Sequence, residues 1–181
     1  LFSTRGYVAT SLADIARASD ISKAGLLHHY SSKDQLLAAV LDERDRRTMS
    51  RLPDGDKGTE AALDAWVEMV AHNQRHPDGV ALYTAMSAAV IDASHQAYPW
   101  FRQHLMATIE YLVDTLERGK AAGEVHPDAP SEQIARKLVA LSDGLQVQWL
   151  CSRADGGRDV DMRAVTAGVV SDIKDRWLIR S

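Results

Sequence analysis

Apolar side chains along this chain recur at intervals of three and four residues and do not alternate strictly, the signature of helices that bury one face. Leu12, Ile15 and Ala16 mark a short helix that Thr10 is placed to cap and that runs to about Ala18. After a short turn of Ser19, Asp20 and Ile21, a second short helix follows. Ser22 is its N-cap, Ile21 staples onto Leu26, and Tyr30 shares that inner face. Ser32, Lys33, Asp34 and Gln35 form a capping box of the S-x-x-Q type, opening a longer helix through Leu36, Leu37, Val40 and Leu41 to about Arg51. Its distal part, Arg44, Asp45, Arg46 and Arg47, is polar and is expected to slide without breaking a core. Residues 1–5, closed by Gly6, read as the last turns of a helix that begins before Leu1, so the first helix is expected to be truncated.

Residues 53–58 carry the strongest loop signal, after which Thr59 is placed to cap a helix whose face is Leu63, Trp66, Val67 and Val70. Pro77, Asp78 and Gly79 are expected to end it near His76. The next helix, from Val80 to about Asp92, should turn Leu82, Ala85, Met86 and Ala89 inward. Pro99 opens a long helix with Phe101, Leu105, Ile109, Leu112 and Leu116 in register. Pro130 suits the first turn of another, carrying Ile134, Leu138, Leu141, Leu145 and Trp149. A glycine-rich loop of Asp155, Gly156, Gly157 and Arg158 precedes a final helix from about Val160 to Ile179. The fold class is therefore all-α.

Composition narrows the setting. The chain has 181 residues, 45% hydrophobic and 25% charged, which suits a packed globular protein. Its single cysteine, Cys151, excludes an intrachain disulfide, favours a reducing compartment and is expected to pack. No run approaches the ~18 apolar residues of a membrane span, and no signal-peptide pattern opens the sequence, so the cytoplasm is the expected location. The net charge is -4, yet residues 1–33 hold Arg5, Arg17, Lys23 and Lys33 against Asp14 and Asp20, a local excess of +2.

That excess falls on two short helices joined by a tight turn, the layout of a helix-turn-helix whose second helix enters the DNA major groove. With Ile21, Leu26 and Tyr30 inward, Lys23, Ala24, Leu27 and His28 project to the other side. Helix N-termini near Thr10, Ser22 and Ser32 would add backbone donors for phosphates. A small three-helix subdomain of a larger bundle would show the same spacing.

Residues 1–44 resemble the N-terminal domain of the tetracycline-repressor (TetR) family of bacterial regulators. Leu1-Phe2 before Gly6-Tyr7, Thr10-Ser11 before Ile15-Ala16, Ser22-Lys23, and His29-Tyr30 leading into Ser32-Lys33 and Leu36-Leu37 carry the likeness. The resemblance implies a helix-turn-helix domain with a linking helix over residues 1–50. It also implies a regulatory domain over residues 51–181 that dimerises and holds a small effector. In the family, the positions of Thr10, Ser11, Ser22, Lys23, His29 and Lys33 contact phosphates or cap the helices that do, while those of Gly25, Leu27 and His28 face the groove. Leu27 stands where Tyr is common, Gly25 where Ser or Thr is frequent, and Asp20 replaces a glycine. Lys23 and His28 are the polar groups left for base edges, with Leu27 able to meet a thymine methyl. The implied function is a transcriptional repressor released from a pseudo-palindromic double-stranded DNA operator.

Trp66, Met69, Tyr83, Met86, Trp100, Met106, Tyr111 and Trp149 are candidates to line the effector cavity, with His72, Asn73 and Gln146 to orient the ligand, although each could simply be core. Few charges fall on these faces, so a mostly apolar effector is expected. Apolar residues on more than one face of the helix carrying Leu138, Leu141 and Leu145, together with Val165, Val169 and Ile173, point to a homodimer interface. His72 and His76 have the spacing of a two-histidine metal site, with His95 and His104 as possible partners, but a histidine in a last helical turn is already favoured by the helix dipole. No metal, cofactor or catalytic set is expected, and the protein is read as a non-enzyme. The rival readings are a helical metal-dependent enzyme and an effector-free architectural DNA-binding protein.

Overall fold

The structure is a computed structural model that describes residues 1–53, 57–90, 92–154 and 160–179. Among them are nine helices: α1 (Phe2–Arg5), α2 (Leu12–Ala18), α3 (Lys23–His29), α4 (Lys33–Met49), α5 (Thr59–Gln74), α6 (Pro77–Ala89), α7 (Tyr98–Ala121), α8 (Ser131–Ala154) and α9 (Met162–Trp177). The all-α class holds. The expected loop at residues 155–158, the middle of the loop at residues 54–56 and the side chain of Ala89 lie outside the described residues.

Local chemistry sets the boundaries and corrects several expectations. Ser11, not Thr10, caps α2: its hydroxyl accepts the Asp14 N–H while the Asp14 carboxylate accepts the Ser11 N–H. Thr10 is buried and donates its hydroxyl to the Gly6 carbonyl at 2.7 Å. Ser22 caps α3 through the Gly25 N–H at 2.9 Å. Between them Asp20 adopts a left-handed conformation, φ 54°, which its short polar side chain tolerates. Ile21 is exposed rather than stapled onto Leu26. Ser32 caps α4 through the Gln35 N–H, but the Gln35 amide oxygen accepts from Ser31, so the reciprocal bond of the box is displaced by one residue. At α5 the N-cap is Gly58 at φ 83°, and the Glu124 carboxylate, rather than a Thr59 cap, takes the first N–H at 2.9 Å. Pro77 begins α6 instead of only ending α5, and Ala85 faces outward.

Two apolar clusters result. The larger joins α5, α7, α8 and α9 around Trp66, Leu116, Leu138 and Trp149. The other contains Phe2, Ala16, Leu26, Leu37 and Leu41 from α1 to α4 together with Leu82, Tyr83, Met86, Ala97 and Phe101 from α6, α7 and the segment between them. The first four helices therefore bury their inner faces against the body as well as against one another. At the opposite end, α7 passes α5 at Gly119, where a Cβ would collide with Thr59 Oγ1 and sit 2.6 Å from Val125 Cγ2.

Distal α4 is anchored, contrary to its expected freedom. Arg44 lies 4.3 Å above the Tyr83 ring, Asp45 is 2.9 Å from His104 Nδ1, and Asp42 accepts the Trp100 indole N–H at 2.6 Å.

Candidate nucleic-acid interface and ligand cavity

The α2–α3 pair presents one side of α3 to solvent. Leu26 is buried, whereas Lys23, Ala24, Leu27, His28 and His29 are exposed, along with the capping residues Ser11 and Ser22. Gly25 is half-buried, and a Cβ there would lie 3.2 Å from Ser22 Oγ, so the missing side chain leaves room for the cap. Lys33 is half-buried and occupied within the unit: Nζ donates to the Tyr7 carbonyl at 3.0 Å and sits 4.2 Å above the Tyr7 ring. The Tyr7 hydroxyl in turn donates to the Asp34 carboxylate. These contacts tie the turn before α2 to the start of α4. Buried Thr10 offers no side-chain contact to a ligand outside.

Behind this unit, α4, α5, α6, α7 and α8 enclose a cavity of about 40 Å³ whose walls include Arg44, Trp66, Met69, Asn73, Asp143 and Gln146. It adjoins an open cleft of about 440 Å³ between α4, α5 and the start of α6, and Arg44, Thr48 and Asn73 line both. The Trp66 indole N–H donates to Ser142 Oγ at 3.2 Å, and Ser142 donates to the Leu138 carbonyl at 2.9 Å. Burial lowers the Arg44 pKa and raises those of Tyr83 and Asp143, since each charged form is cut off from water. The lining is mostly apolar, as expected, with Arg44, Asn73, Asp143 and Gln146 set into it as polar groups.

Of the anticipated ligand residues, Trp66, Met69 and Gln146 line the inner cavity and His72 the cleft. Met86 lies in the cluster shared with the first four helices, and Trp149 in the larger core. The Tyr111 hydroxyl donates to the Pro53 carbonyl. Tyr83 lines the inner cavity too, as the sequence suggested, whereas Arg44, His104 and Asp143 escaped the sequence reading as lining residues. Arg44 had a signal, because Leu37, Leu41, Arg44 and Thr48 continue one helical stripe.

On α8, Leu138 and Leu145 are buried in the chain's own core and unavailable to a second subunit, and Leu141, Val169 and Ile173 are half-buried. The open surface instead carries Gly144, Val147 and Cys151 of α8 with Val165 and Gly168 of α9, so Cys151 does not pack inside. His72 and His76 stack with ring centroids 4.0 Å apart, His95 lies against Tyr7, and His104 lies beside Asp45. Among the described residues no group of three or more His, Cys, Asp or Glu is placed to hold a metal ion, and no helix is long and apolar enough to cross a membrane.

A capped helix-turn-helix seated on a helical body with an internal cavity is the build of a DNA-binding regulator. Residues 1–40 match the family model described as bacterial regulatory proteins, tetR family. The A-factor receptor protein of Streptomyces griseus is 26% identical over 175 residues, 92% of this chain; the chain spans 56% of that relative's length. The transcriptional regulator UidR of Escherichia coli K12 is 23% identical over 145 residues, covering 80% of this chain and 74% of UidR. Among solved structures, Salmonella enterica GusR superposes with a TM-score of 0.73 at 26% identity, covering 95% of this chain and 88% of GusR. Residues 1–40 thus carry the tetR-family pattern, and nearly the whole chain is similar to transcriptional regulators of that kind.

Proposed function

We propose that this protein is a homodimeric repressor that leaves a pseudo-palindromic operator when a small effector occupies the α4–α8 region. Residues 1–50 form the DNA-binding unit and residues 51–181 the regulatory unit. The observation that carries this reading is the solvent-facing side of α3, which offers Lys23, Leu27 and His28 while its inner side joins a core shared with α6 and α7. Groove contacts come from that side, and Ser11, Ser22 and His29 stand where phosphates would pass. The subunits meet through α8 and α9, using Val147, Val165 and the small residues Gly144 and Gly168, so that the glycines let the helices approach closely. The two recognition helices should then lie ~34 Å apart, or a multiple of it.

The test is footprinting and gel-shift titration of the full chain on DNA flanking its own coding sequence, with sedimentation at micromolar concentration. A protected two-fold site bound by a dimer is the expected result. A monomer, or binding without sequence preference, would overturn the proposal.

A further inference from the structure

The polar wall between cavity and cleft has more hydrogen-bonding capacity than the chain satisfies. Gln146 Oε1 is buried without a partner, in a residue only 6% exposed. Asn73, 8% exposed, lines both spaces, and its side-chain amide bonds to no described residue. Arg44 also lines both; it lies over Tyr83, and Asp45 and Asp143 act on it from beyond ion-pair distance. A buried polar atom of this kind is normally paired, so Gln146 Oε1, with Asn73 and Arg44 on the same wall, marks a place where something else supplies the partner.

Charge says what that is. The cleft is lined by Arg44, Arg47 and Arg75 against Glu43 and Asp78; Glu43 pairs with Arg47 as well as with Arg46, which leaves Arg44 and Arg75 facing Asp78. His72, on the same wall, has its pKa lowered by burial and then by the positive charge of His76, Arg51 and Arg75, which reports a field that resists further cations. The cleft also receives the start of α6, where Pro77 has no N–H, Gly79 and Val80 donate to the His76 carbonyl, and the Asp78 N–H is left for a ligand. Size divides the ligand in two. The cleft's 440 Å³ suits a small metabolite, whereas the inner 40 Å³ has room for about one water-sized group.

We infer that the effector is a small organic oxyanion, a carboxylate or a phosphate ester, with a hydroxyl or amide on its tail. The anionic end lies in the cleft against Arg44 and the first turn of α6. The neutral end passes Asn73 and places a donor at Gln146 Oε1. This inference rests on the reading of the chain as an effector-responsive regulator, and it replaces the apolar ligand expected from sequence. Such a ligand bridges α4 to α6, two of the helices whose residues share a core with α1, α2 and α3.

The experiment uses the full chain and acids paired with neutral relatives: gluconate and glucose 6-phosphate against glucose, lactate against lactamide, and phenyllactate against phenyllactamide. Thermal shift and calorimetric titration are read for wild type, Arg44→Gln and Asn73→Asp. Asn73→Asp keeps the side-chain size and adds a negative charge, so it tests the idea even if replacing Arg44 disturbs folding. Acids should stabilise the wild type when their neutral relatives do not, and Asn73→Asp should weaken them by about tenfold or more. Whether carboxylates or phosphate esters do so identifies the anionic group. Stabilisation by the neutral relatives to the same extent, equal binding of the acids to Asn73→Asp, or no stabilisation by any acid would overturn the inference. DNA binding is scored separately: a chain that binds acids but not DNA refutes the regulator, and one that binds DNA without preferring acids refutes the oxyanion.

Discussion

Replacing Phe101 by alanine tests whether the DNA-binding unit depends on the body for its core. Phe101 is 1% exposed on α7, with ring centroids 5.2 Å from Tyr83 and 5.0 Å from Trp100. It belongs to the cluster that includes Phe2, Ala16, Leu26, Leu37 and Leu41. Emptying such a site costs ~3–5 kcal/mol, the lost transfer energy plus the cavity left behind. At ~1.4 kcal/mol per decade, the free energy of opening falls enough to speed amide exchange by about two to three and a half orders of magnitude. Hydrogen exchange on the full chain should show this acceleration in α2, α3 and the first half of α4 as well as in α7. If α7 accelerated while α2 and α3 exchanged at wild-type rates, the shared-core argument would be wrong and residues 1–50 would hold themselves together.

Gly119→Ala would gain ~1 kcal/mol as a helix substitution, but overpacking against buried Thr59 and Val125 should cost ~1–3 kcal/mol. A net loss of up to about 2 kcal/mol is expected from urea midpoints, and a higher midpoint would contradict the close approach. His72 has a folded-state pKa below its ordinary 6.5, because burial and neighbouring cations disfavour its charged form. The unfolded chain therefore binds that proton more readily, and stability should fall as pH drops below about 6.5 towards the folded value. His72→Gln should flatten that slope in melting temperatures taken between pH 7.5 and 5.5; an unchanged slope would show that His72 does not cause it. In DNA titrations, His28→Ala should relax preference at one position per half-site, at ~1–3 kcal/mol. Lys33→Ala should weaken all sequences alike, because Lys33 holds the turn before α2 in place, and a sequence-selective loss would contradict that role.

The order and character of the helices were legible because binary pattern and capping chemistry agreed along most of the chain, as at Ser22, Ser32 and Pro99. Errors arose where a tertiary partner replaced a local one. Glu124 satisfies the first turn of α5 from far along the chain, leaving Thr59 no capping role, and Thr10 turned inward because the neighbouring Ser11 formed the reciprocal box with Asp14. The outward side of α3 could be read from spacing, since inner Leu26 fixes which residues remain outside. The effector cavity could not. Arg44 and Asp143 carry charges that a hydropathy reading sends to solvent, yet an aromatic face and several converging helices hold both against the cavity.

Because α4 is held at Arg44 and Asp45 and at its start by Lys33 and Asp34, bending in the middle has little to gain and rotation about the far contacts carries the whole helix. The eleven helical steps from Lys33 to Arg44 span ~17 Å, so a swing of about 7° moves the end near α3 by ~2 Å. In a two-fold pair moving oppositely, the separation changes by ~4 Å against a DNA repeat of ~34 Å. Hydrogen bonds lose their geometry over a few tenths of an ångström, so that displacement is several times what the groove contacts could follow. Between seven degrees and none, on the proposed function, the gearing of one helix would decide whether two reading heads stay in step with the double helix.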